Sequence, residues 1–433
     1  MKIHFIGISG IGVSALAKYY LQKGEQVTGS DLNRSEVASN LERLGAKIFY
    51  GQQKADNVAS DIDLVVYTVA VPKDNPELLQ AGKLKIKTQT YPEALGDLVK
   101  KHFTIAVCGM SGKSTTTSMT GIVLKKAGLS PNVIVGTRVK EFENSNCLVG
   151  KSNYLVIEAC EYEASFLNYW PRILAILNIE EEHLDYYRDI RHIMDTFKEE
   201  ASHLKKGDVL IFNKDDENTA KLIKENKKIL KGVKLVPFSL KDKEAEGIKK
   251  ILKVPGKHNI SNALAALKIG RELKISDEKI YKALSQFKGT WRRFEIIKKE
   301  PFILISDYAH HPTKLKALLE GAREKYPKKT IWAVFQSHQY DRTKKLFDKF
   351  IPAFEKADKI ILTEIYYVAG REKKLNISSK DLVEAIKKKS PEKEVLFMEK
   401  KEDVPAFIRK NAKKGDVVLV IGAGDIINIL KFF

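Results

Sequence analysis

The chain has 433 residues, of which 43% are hydrophobic and 30% are charged, and its formal net charge is +20. This length exceeds what one hydrophobic core usually holds, so two to three domains are expected. No apolar run approaches the roughly 20 residues of a membrane span and no signal peptide is recognisable, so stable membrane insertion is not expected. Three scattered cysteines are too few for a disulfide framework and favour a reducing cytoplasm.

The positive charge has two possible explanations, a nucleic-acid partner or a lysine-rich solvated surface. The lysines are spread along the chain, and no DNA-binding or RNA-binding signature accompanies them. We therefore predict no nucleic-acid partner, and a surface with a mild bias toward polyanionic substrates.

The first segment opens with a short apolar strand, Lys2–Ile6, followed by the glycine pattern GISGIG and a helix over about residues 13–23. The glycines are spaced Gly-x-x-Gly-x-Gly, whereas a dinucleotide-binding turn has Gly-x-Gly-x-x-Gly. A second strand, Gln26–Gly29, ends in Ser30 and Asp31, about where an acidic group would contact a ribose. These features predict a Rossmann-like nucleotide-binding domain. NAD is the first ligand hypothesis, and the alternative is a glycine turn that serves packing only.

Residues 104–117, TIAVCGMSGKSTTT, have the pattern of a buried strand, a glycine-rich loop and a helix that opens at Thr115. Backbone N–H groups in such a loop, together with the helix N-terminus, bind phosphate oxygens. Lys113 can reach a terminal phosphate, and the hydroxyl of Ser114 suits Mg2+. Val107 stands where a Walker A loop has its first glycine. The pattern predicts a nucleotide phosphate cradle, against the alternative of a glycine-rich turn with an incidental lysine.

Polar side chains follow the next two predicted strands, 154–157 and 173–177. Glu158 comes directly after the first strand, and His183 lies shortly after the second. Because the carboxyl ends of parallel strands meet at one edge of a sheet, these side chains would face the phosphate loop. Mg2+ prefers oxygen ligands, although one histidine ligand is not excluded. A magnesium site is therefore predicted, and the alternative is a polar loop surface.

The stretch PGKHNISNALAAL places Asn259 and Asn262 on the first turns of an apolar helix, on one face. They could contact a nucleotide or cap the helix, and the pattern favours neither. The segment KGTWRRFE then indicates a hinge. A further alternation of strands and helices follows, and polar residues stand at its strand ends: Asp307, His310, His338, Arg342, Glu364 and Asp425.

In chain order, the segments GISGIG, GMSGKSTTT, IEACEYEASF, LNIEEEHLDYY, PGKHNISNALAA, WRRFE, DYAHHPT, FQSHQYDRT and GAGDI resemble the Mur ligases. The resemblance covers nearly the whole chain. It implies an α/β fold of three domains: a Rossmann-like UDP-sugar-binding domain at 1–98, a central P-loop ATP-binding domain at 99–290, and a C-terminal Rossmann-like amino-acid-binding domain at 291–433. It also replaces NAD with UDP-N-acetylmuramate as the expected ligand of the first domain.

The resemblance further implies an ATP-dependent ligase that joins L-alanine to the carboxylate of UDP-N-acetylmuramate in peptidoglycan precursor synthesis. A carboxylate is a poor acyl donor, because attack on it adds charge to an anion and must expel oxide. Transfer of the γ-phosphoryl group of ATP gives an acyl phosphate with a good leaving group, and the amine of alanine then displaces phosphate.

The same resemblance assigns roles to individual residues. Contacts to the UDP-sugar are expected from Gly10, Gly12, Ser30 and Asp31. Contacts to ATP are expected from Gly109, Met110, Ser111, Gly112, Lys113, Ser114, Thr115, Asn259, Asn262, Arg293 and Asp307. Mg2+ ligands are expected at Ser114, Glu158 and His183, and contacts to the amino acid at His310, His338 and Arg342. Lys113, His183, Arg293 and His338 are expected to be catalytic, with His338 or a carboxylate as the base for the amine.

Several positions depart from the common family pattern. Met110 and Ser111 replace Thr and His in the cradle, and Cys160 and Ser306 stand where Asp is usual. Gln339 stands where an Arg commonly follows the histidine. Because a neutral amide binds a carboxylate less strongly than a guanidinium does, the amino-acid specificity is less certain than the reaction type. L-Alanine remains the expected substrate.

Three alternative functions stay open at this point. The nearest is another Mur-type ligase, such as the one that attaches a whole tripeptide to UDP-N-acetylmuramate. The others are an NAD-dependent oxidoreductase and a basic nucleic-acid-binding ATPase. A monomer or weak homodimer is expected.

Overall fold

The computed structural model describes residues 1–183, 186–368 and 372–433. Within these ranges, three mostly parallel sheets follow one another along the chain, each accompanied by helices. The predicted α/β fold with three domains is therefore confirmed. Across the described ranges, no helix combines the length and the apolar character needed to cross a membrane.

The first sheet has five parallel strands in the order β3-β2-β1-β4-β5. Its strands are β1 (Lys2–Ile6), β2 (Gln26–Asp31), β3 (Lys47–Tyr50), β4 (Leu64–Tyr67) and β5 (Lys87–Thr90). Its helices are α1 (Ile11–Gln22), α2 (Glu36–Arg43), α3 (Pro76–Lys83) and α4 (Tyr91–Val99), with a 3-10 turn at Ala55–Asn57. Strand order reverses beside β1, and α/β sheets bind ligands at such a point. The loop after β1 carries the glycine pattern.

The second sheet has seven strands in the order β12-β11-β10-β6-β9-β7-β8, all parallel to their neighbours except β8, which runs antiparallel to β7. Its strands are β6 (Phe103–Cys108), β7 (Asn132–Val139), β8 (Ser145–Leu148), β9 (Tyr154–Glu158), β10 (Ile173–Ile176), β11 (Val209–Asn213) and β12 (Lys234–Phe238). Its helices are α5 (Lys113–Lys126), α6 (Ile190–Ser202), α7 (Glu217–Glu225), α8 (Glu244–Ile251), α9 (Lys257–Glu272) and α10 (Asp277–Gln286), with 3-10 segments at Lys140–Phe142 and Tyr162–Asn168.

The start of α5 corrects one prediction from the sequence. The helix begins at Lys113, whereas Thr115 was predicted. Gly112 is the N-cap residue and has φ +88°, a left-handed conformation that glycine adopts without strain. The chain therefore enters the helix directly after this glycine, and Lys113 and Ser114 lie in the first helical turn.

The third sheet has six strands in the order β13-β14-β18-β15-β16-β17, parallel except that β13 runs antiparallel to β14. Its strands are β13 (Glu295–Lys298), β14 (Ile303–Asp307), β15 (Ile331–His338), β16 (Lys359–Tyr366), β17 (Glu394–Met398) and β18 (Val417–Ile421). Its helices are α11 (Pro312–Lys325), α12 (Tyr340–Lys345), α13 (Phe347–Ala353), α14 (Ser379–Lys389) and α15 (Val404–Asn411), with 3-10 segments at Lys401–Asp403 and Asp425–Phe432.

The chain forms two compact units. The first comprises Met1–Leu252 and Ile260–Lys288, and the second comprises Lys253–Asn259 and Gly289–Phe433. The first two sheets share the first unit because one buried apolar cluster runs through both of them. The third sheet has apolar clusters on both of its faces, as expected for a sheet covered by helices on each side. The predicted domain boundaries at 98/99 and 290/291 stay predictions.

Candidate functional site

The glycine loop after β1 is held by the end of the neighbouring strand β2. The N–H groups of Gly7 and Ile8 donate to the carbonyl of Ser30 at 2.9 and 3.1 Å. The N–H of Ser9 donates to a carboxylate oxygen of Asp31 at 2.9 Å. Gly7 has φ +77°, and Gly10 is the N-cap residue of α1. The predicted residues Gly10 and Asp31 therefore lie together in one loop at the carboxyl edge of the sheet.

The other two residues predicted to contact the sugar nucleotide have neighbours inside the fold. A Cβ atom on Gly12 would lie 2.9 Å from the ring of Tyr91, so glycine allows α1 to approach that ring. The hydroxyl of Ser30 is buried and donates to Glu77 at 2.5 Å. Contacts of Gly12 and Ser30 with a ligand remain predictions.

The phosphate cradle is clamped by Asn178, which follows strand β10. The N–H of Ser111 donates to Oδ1 of Asn178 at 2.8 Å, and Nδ2 of Asn178 donates to the carbonyl of Ser111 at 2.9 Å. The N–H of Met110 donates to the carbonyl of Asn178 at 3.2 Å. Gly109 has φ +132°, a conformation that side chains strongly disfavour. Contacts within the protein therefore hold the loop in its conformation.

Asn262 on α9 also lies against the cradle. A Cβ atom on Gly112 would collide with Oδ1 of Asn262. Asn262 is 6% exposed, so the asparagine lies against the loop and not on an open surface. This placement puts one of the two predicted asparagines beside the cradle. Asn259 belongs to the second unit, where its Nδ2 donates to the carbonyl of Pro255 at 2.6 Å.

Lys113, Glu161 and His183 form a charged cluster at the start of α5. Nζ of Lys113 lies 2.8 Å from Glu161 and also donates to the carbonyl of Gly109 at 2.7 Å. Nε2 of His183 lies 3.4 Å from Oε1 of the same carboxylate. The side chain of Glu161 is fully buried, whereas those of Lys113 and His183 are 13% and 23% exposed.

The charges in this cluster stabilise one another. Burial opposes both charged forms, but the ion pair outweighs it. The pKa of Lys113 is raised by the carboxylate of Glu161, and the pKa of Glu161 is lowered by Lys113 and His183. The lysine is therefore held as a cation at the N-terminus of α5. A cation in that position is suited to a terminal phosphate.

Ser114 and Glu158 form the second part of the cradle. The hydroxyl of Ser114 donates to Oε1 of Glu158 at 2.9 Å, and the N–H of Gly136 donates to Oε2 at 2.7 Å. A hydroxyl oxygen and a carboxylate in contact are the donor types that Mg2+ prefers, so these residues fit the predicted ion. Among the described residues, no group of three or more His, Cys, Asp or Glu side chains is arranged to hold a metal. His183 lies with Glu161, and its predicted role as a metal ligand is untested.

In the second unit, Asp307 is the last residue of β14 and is 8% exposed. Its carboxylate accepts the N–H groups of Phe294 at 2.7 Å and Ala309 at 2.8 Å. Burial raises the pKa of Asp307, while the nearby Arg293 acts in the opposite direction. The guanidinium of Arg293 lies 5.2 Å from the ring centre of Tyr308. The structure therefore brings together Arg293 and Asp307, two of the three residues of this unit that were predicted to contact ATP.

His310, His338 and Arg342 also lie together in the second unit. The rings of His310 and His338 are 6.0 Å apart, and Nη1 of Arg342 lies 3.3 Å from Nδ1 of His338. His338 stacks on Tyr366 at 5.3 Å. Burial, followed by the charge of Arg342, lowers the pKa of His338 to about 4. A neutral imidazole at physiological pH can accept a proton.

Two residues of the cradle, Glu161 and Asn178, were recognised from the sequence as polar residues after predicted strands but were given no role in the site. They are the partner of Lys113 and the clamp of the loop. Their position at the carboxyl ends of β9 and β10, on either side of β6, is the signal that points to the cradle. Gln339, which replaces the usual arginine, is the N-cap residue of α12 and has φ +72°. Its N–H donates to the carbonyl of Tyr366 at 3.0 Å.

Three family models match successive parts of the chain. Residues 2–103 match "Mur ligase family, catalytic domain", residues 107–250 match "Mur ligase middle domain", and residues 292–424 match "Mur ligase, glutamate ligase domain". Each match spans one of the three sheets.

Named relatives cover the full length. The UDP-N-acetylmuramate--L-alanine ligase of Clostridium acetobutylicum is 42% identical, over 100% of this chain and 97% of its own. The ligase of the same name from Caldanaerobacter subterraneus subsp. tengcongensis is 40% identical over 99% and 96%. The crystal structure of the UDP-N-acetylmuramate-alanine ligase from Thermotoga maritima superposes with a TM-score of 0.82 and 30% identity, covering 100% of this chain and 98% of that one. The chain therefore belongs to the Mur ligase family.

Proposed function

We propose that this protein is the ATP-dependent ligase that joins L-alanine to the carboxylate of UDP-N-acetylmuramate in peptidoglycan precursor synthesis, releasing ADP and phosphate. The observation that carries the proposal is the preformed cradle, in which Lys113 and Ser114 occupy the first turn of α5 after a clamped glycine loop. Relatives that share the full length at about 40% identity bear the name of this ligase.

In this proposal the cradle binds the triphosphate of ATP. The loop from Gly109 to Thr115 supplies backbone N–H groups, and Lys113 neutralises charge on the transferred phosphoryl group. Arg293 would add a second cation, and Asn259, Asn262 and Asp307 would hold the rest of the nucleotide. Lys113 must then exchange part of its contact with Glu161 for the phosphate, and the carboxylate keeps the lysine charged until it does so.

Mg2+ would be held by Ser114 and Glu158, with His183 as a further ligand, and would supply positive charge to phosphate oxygens. The contact between Ser114 and Glu158 supports this assignment, because the two oxygens lie 2.9 Å apart.

The proposed site for UDP-N-acetylmuramate is the glycine loop, with Gly10, Gly12, Ser30 and Asp31. The carboxylate of this substrate attacks the γ-phosphorus of ATP, and the acyl phosphate that results is opened by the amine of L-alanine. The proposed contacts of the amino acid are His310, His338 and Arg342. His338 is the proposed base, because its imidazole lies beside His310 and Arg342. Its lowered pKa keeps it neutral and also makes it a weak proton acceptor.

The proposal also covers the cellular location, the oligomeric state and the domain boundaries of the enzyme. The enzyme would act in the cytoplasm as a monomer or weak homodimer, without a nucleic-acid partner. Its domains would be 1–98, 99–290 and 291–433, which agrees with the positions of the three sheets.

A substrate panel tests the amino-acid assignment. ADP release would be measured with UDP-N-acetylmuramate, ATP and Mg2+, adding L-alanine, glycine, L-serine or a tripeptide in turn. The proposal predicts the highest kcat/KM for L-alanine. A clear preference for the tripeptide would instead assign the chain to another ligase of the family, and a preference for glycine or serine would refute the alanine specificity.

A further inference from the structure

A buried polar contact joins the first two sheets at helix α1 and strand β8. Asn146 lies on β8 and is 7% exposed. Its Nδ2 donates to the carbonyl of Ile11 at 2.7 Å and to Oγ of Ser14 at 2.9 Å. Both acceptors belong to the first turn of α1. One amide group of the second sheet therefore holds the beginning of a helix that belongs to the first sheet.

This first turn of α1 is continuous with the glycine loop. Gly10 caps the helix, its N–H donates to the carbonyl of Gly7 at 3.1 Å, and its own carbonyl accepts the N–H of Ser14 at 2.8 Å. Ser14 is 1% exposed, so its contact with Asn146 is shielded from water. The hydroxyl of Ser14 itself donates to the carbonyl of Ile11 at 3.1 Å, so Asn146 completes a small buried network whose other two members are in α1. Removing a buried donor from such a network is costly. Asn146 therefore adds a contact from the second sheet to those that β2 makes with the glycine loop.

The hairpin that carries Asn146 also contacts the phosphate cradle. Strand β8 pairs with β7, and the pairing shifts register between Ile134 and Val139. Gly136 lies in this irregular part of β7, and its N–H donates to Oε2 of Glu158. Glu158 in turn accepts the hydroxyl of Ser114. One strand of the hairpin therefore holds the glycine loop, and the other holds a carboxylate of the cradle.

We propose that Asn146 is a positioning residue for the ligase reaction: it keeps the glycine loop that binds the sugar nucleotide in register with the phosphate cradle. This inference rests on the function proposed above. The reaction requires a carboxylate oxygen to approach the γ-phosphorus in line, and a small displacement of one binding loop relative to the other lowers the rate. Asn146 acts through the first turn of α1 and touches neither substrate.

Steady-state kinetics of the full chain test the inference. In Asn146→Ala, kcat/KM for UDP-N-acetylmuramate is expected to fall by about tenfold or more, while KM for ATP stays within about twofold of wild type. Ser14→Ala removes one of the two acceptors of the Asn146 amide. It is expected to lower kcat/KM for UDP-N-acetylmuramate by a smaller factor than Asn146→Ala does. A raised KM for the sugar nucleotide alone is a readout that general loss of folded protein would not produce, because that loss lowers kcat and leaves both KM values unchanged.

Lys23→Ala is the matched control. Lys23 also bridges the two sheets, donating from Nζ to the carbonyl of Gly150 at 3.0 Å, but this contact is exposed. Its removal is expected to leave both kinetic constants unchanged. If Asn146→Ala does not fold, Ser14→Ala decides the question by itself.

The two proposals fail in different ways. A wild-type enzyme that makes no product from UDP-N-acetylmuramate, ATP and L-alanine contradicts the proposed function. An active wild type with unchanged kcat/KM for UDP-N-acetylmuramate in Asn146→Ala, or with equal changes in KM for ATP and for the sugar nucleotide, overturns the positioning role of Asn146.

Discussion

At the scale of single residues, the cradle depends on a lysine that is charged before any nucleotide arrives. Lys113 is paired with the fully buried Glu161, which also contacts His183. A buried carboxylate is tolerated only when it is paired, so the pair fixes the position of the cation that the phosphate needs. If Lys113 were removed, the buried charge of Glu161 would lose its counter-ion, and the folded protein would be less stable.

Lys113→Ala is expected to abolish ADP release and also to lower the free energy of unfolding, by on the order of 3 kcal/mol, because Glu161 loses its main counter-ion. The double variant Lys113→Ala with Glu161→Gln removes the buried charge, so it should regain part of that stability without regaining activity. Urea unfolding and an ADP-release assay measure the two effects. Turnover in the single variant, or a double variant no more stable than the single one, would contradict this explanation.

The lowered pKa of His338 predicts how stability depends on pH. Burial, assisted by Arg342 and Arg292, lowers it to about 4. Since the folded-state pKa lies below the ordinary value of about 6.5, the unfolded chain binds protons more readily. The stabilising contribution is complete above about pH 6.5 and is lost as the pH falls toward 4.

The variant His338→Gln should therefore show a shallower loss of stability between about pH 6.5 and 4 than wild type. Free energies of unfolding from urea titrations across this range provide the measurement, with the surface variant His192→Gln as a control. Equal slopes for His338→Gln and wild type would show that His338 is not held neutral by the fold.

The sequence predicted those site residues that belong to a recognisable local pattern. Lys113 and Ser114 belong to a short glycine pattern, and Glu158 stands directly after a recognisable strand. Asn146 could not be predicted in this way, because its partner Ser14 lies 132 positions away and neither residue belongs to a recognisable pattern. Such a contact is created by the packing of two sheets.

At the scale of elements, helix α4 joins the first two sheets by a close backbone approach. A Cβ atom on Gly96 would collide with the backbone carbonyl of Asn168, which follows strand β9. A backbone atom cannot move aside as a flexible side chain can. Glycine at this position therefore sets the distance between α4 and the second sheet.

Gly96→Ala is expected to destabilise the protein by about 1–3 kcal/mol, because the cost of overpacking exceeds the gain in helix propensity. Gly82→Ala is the matched control: Gly82 also lies in a helix, α3, but a Cβ atom there meets nothing within 4 Å. The control should be neutral or slightly stabilising. Thermal unfolding of both variants measures the difference, and equal stability would mean that the contact at Asn168 relaxes freely.

The sequence predicted most strand positions of the parallel sheets but not all element limits. Apolar runs such as Val417–Ile421 stand out because strands covered on both faces are apolar throughout. The start of α5 was predicted two residues late, since a Gly N-cap with positive φ gives no side-chain signal. The antiparallel edge strands β8 and β13 have no strong apolar pattern and were not predicted. The parallel strands β5, β7, β11, β12 and β17 were not predicted either.

At the scale of the whole molecule, the glycine loop and the phosphate cradle lie in one compact unit, whereas the third sheet belongs to the other. This division into two units suits a ligase that activates one substrate before it adds the next, because the two substrates of the activation step can bind to the same unit. The sugar nucleotide and ATP need a fixed relation for phosphoryl transfer, and the unit they are proposed to share provides it through a continuous apolar core.

The net charge of +20 leads to a prediction about salt. Both nucleotide substrates are polyanions, so raising the ionic strength should lower kcat/KM for ATP and for UDP-N-acetylmuramate. The zwitterionic amino acid carries no net charge, so kcat/KM for L-alanine should change less. A salt titration at constant pH makes the comparison, and an equal effect on all three substrates would show that long-range attraction plays no part.

The central claim is that the muramyl carboxylate is phosphorylated by ATP before the amine attacks. UDP-N-acetylmuramate labelled with oxygen-18 in its carboxylate would be converted with ATP, Mg2+ and L-alanine, and the inorganic phosphate analysed by mass spectrometry. The claim predicts that one labelled oxygen is transferred from each carboxylate to phosphate. Product formed with no label in the phosphate would contradict it.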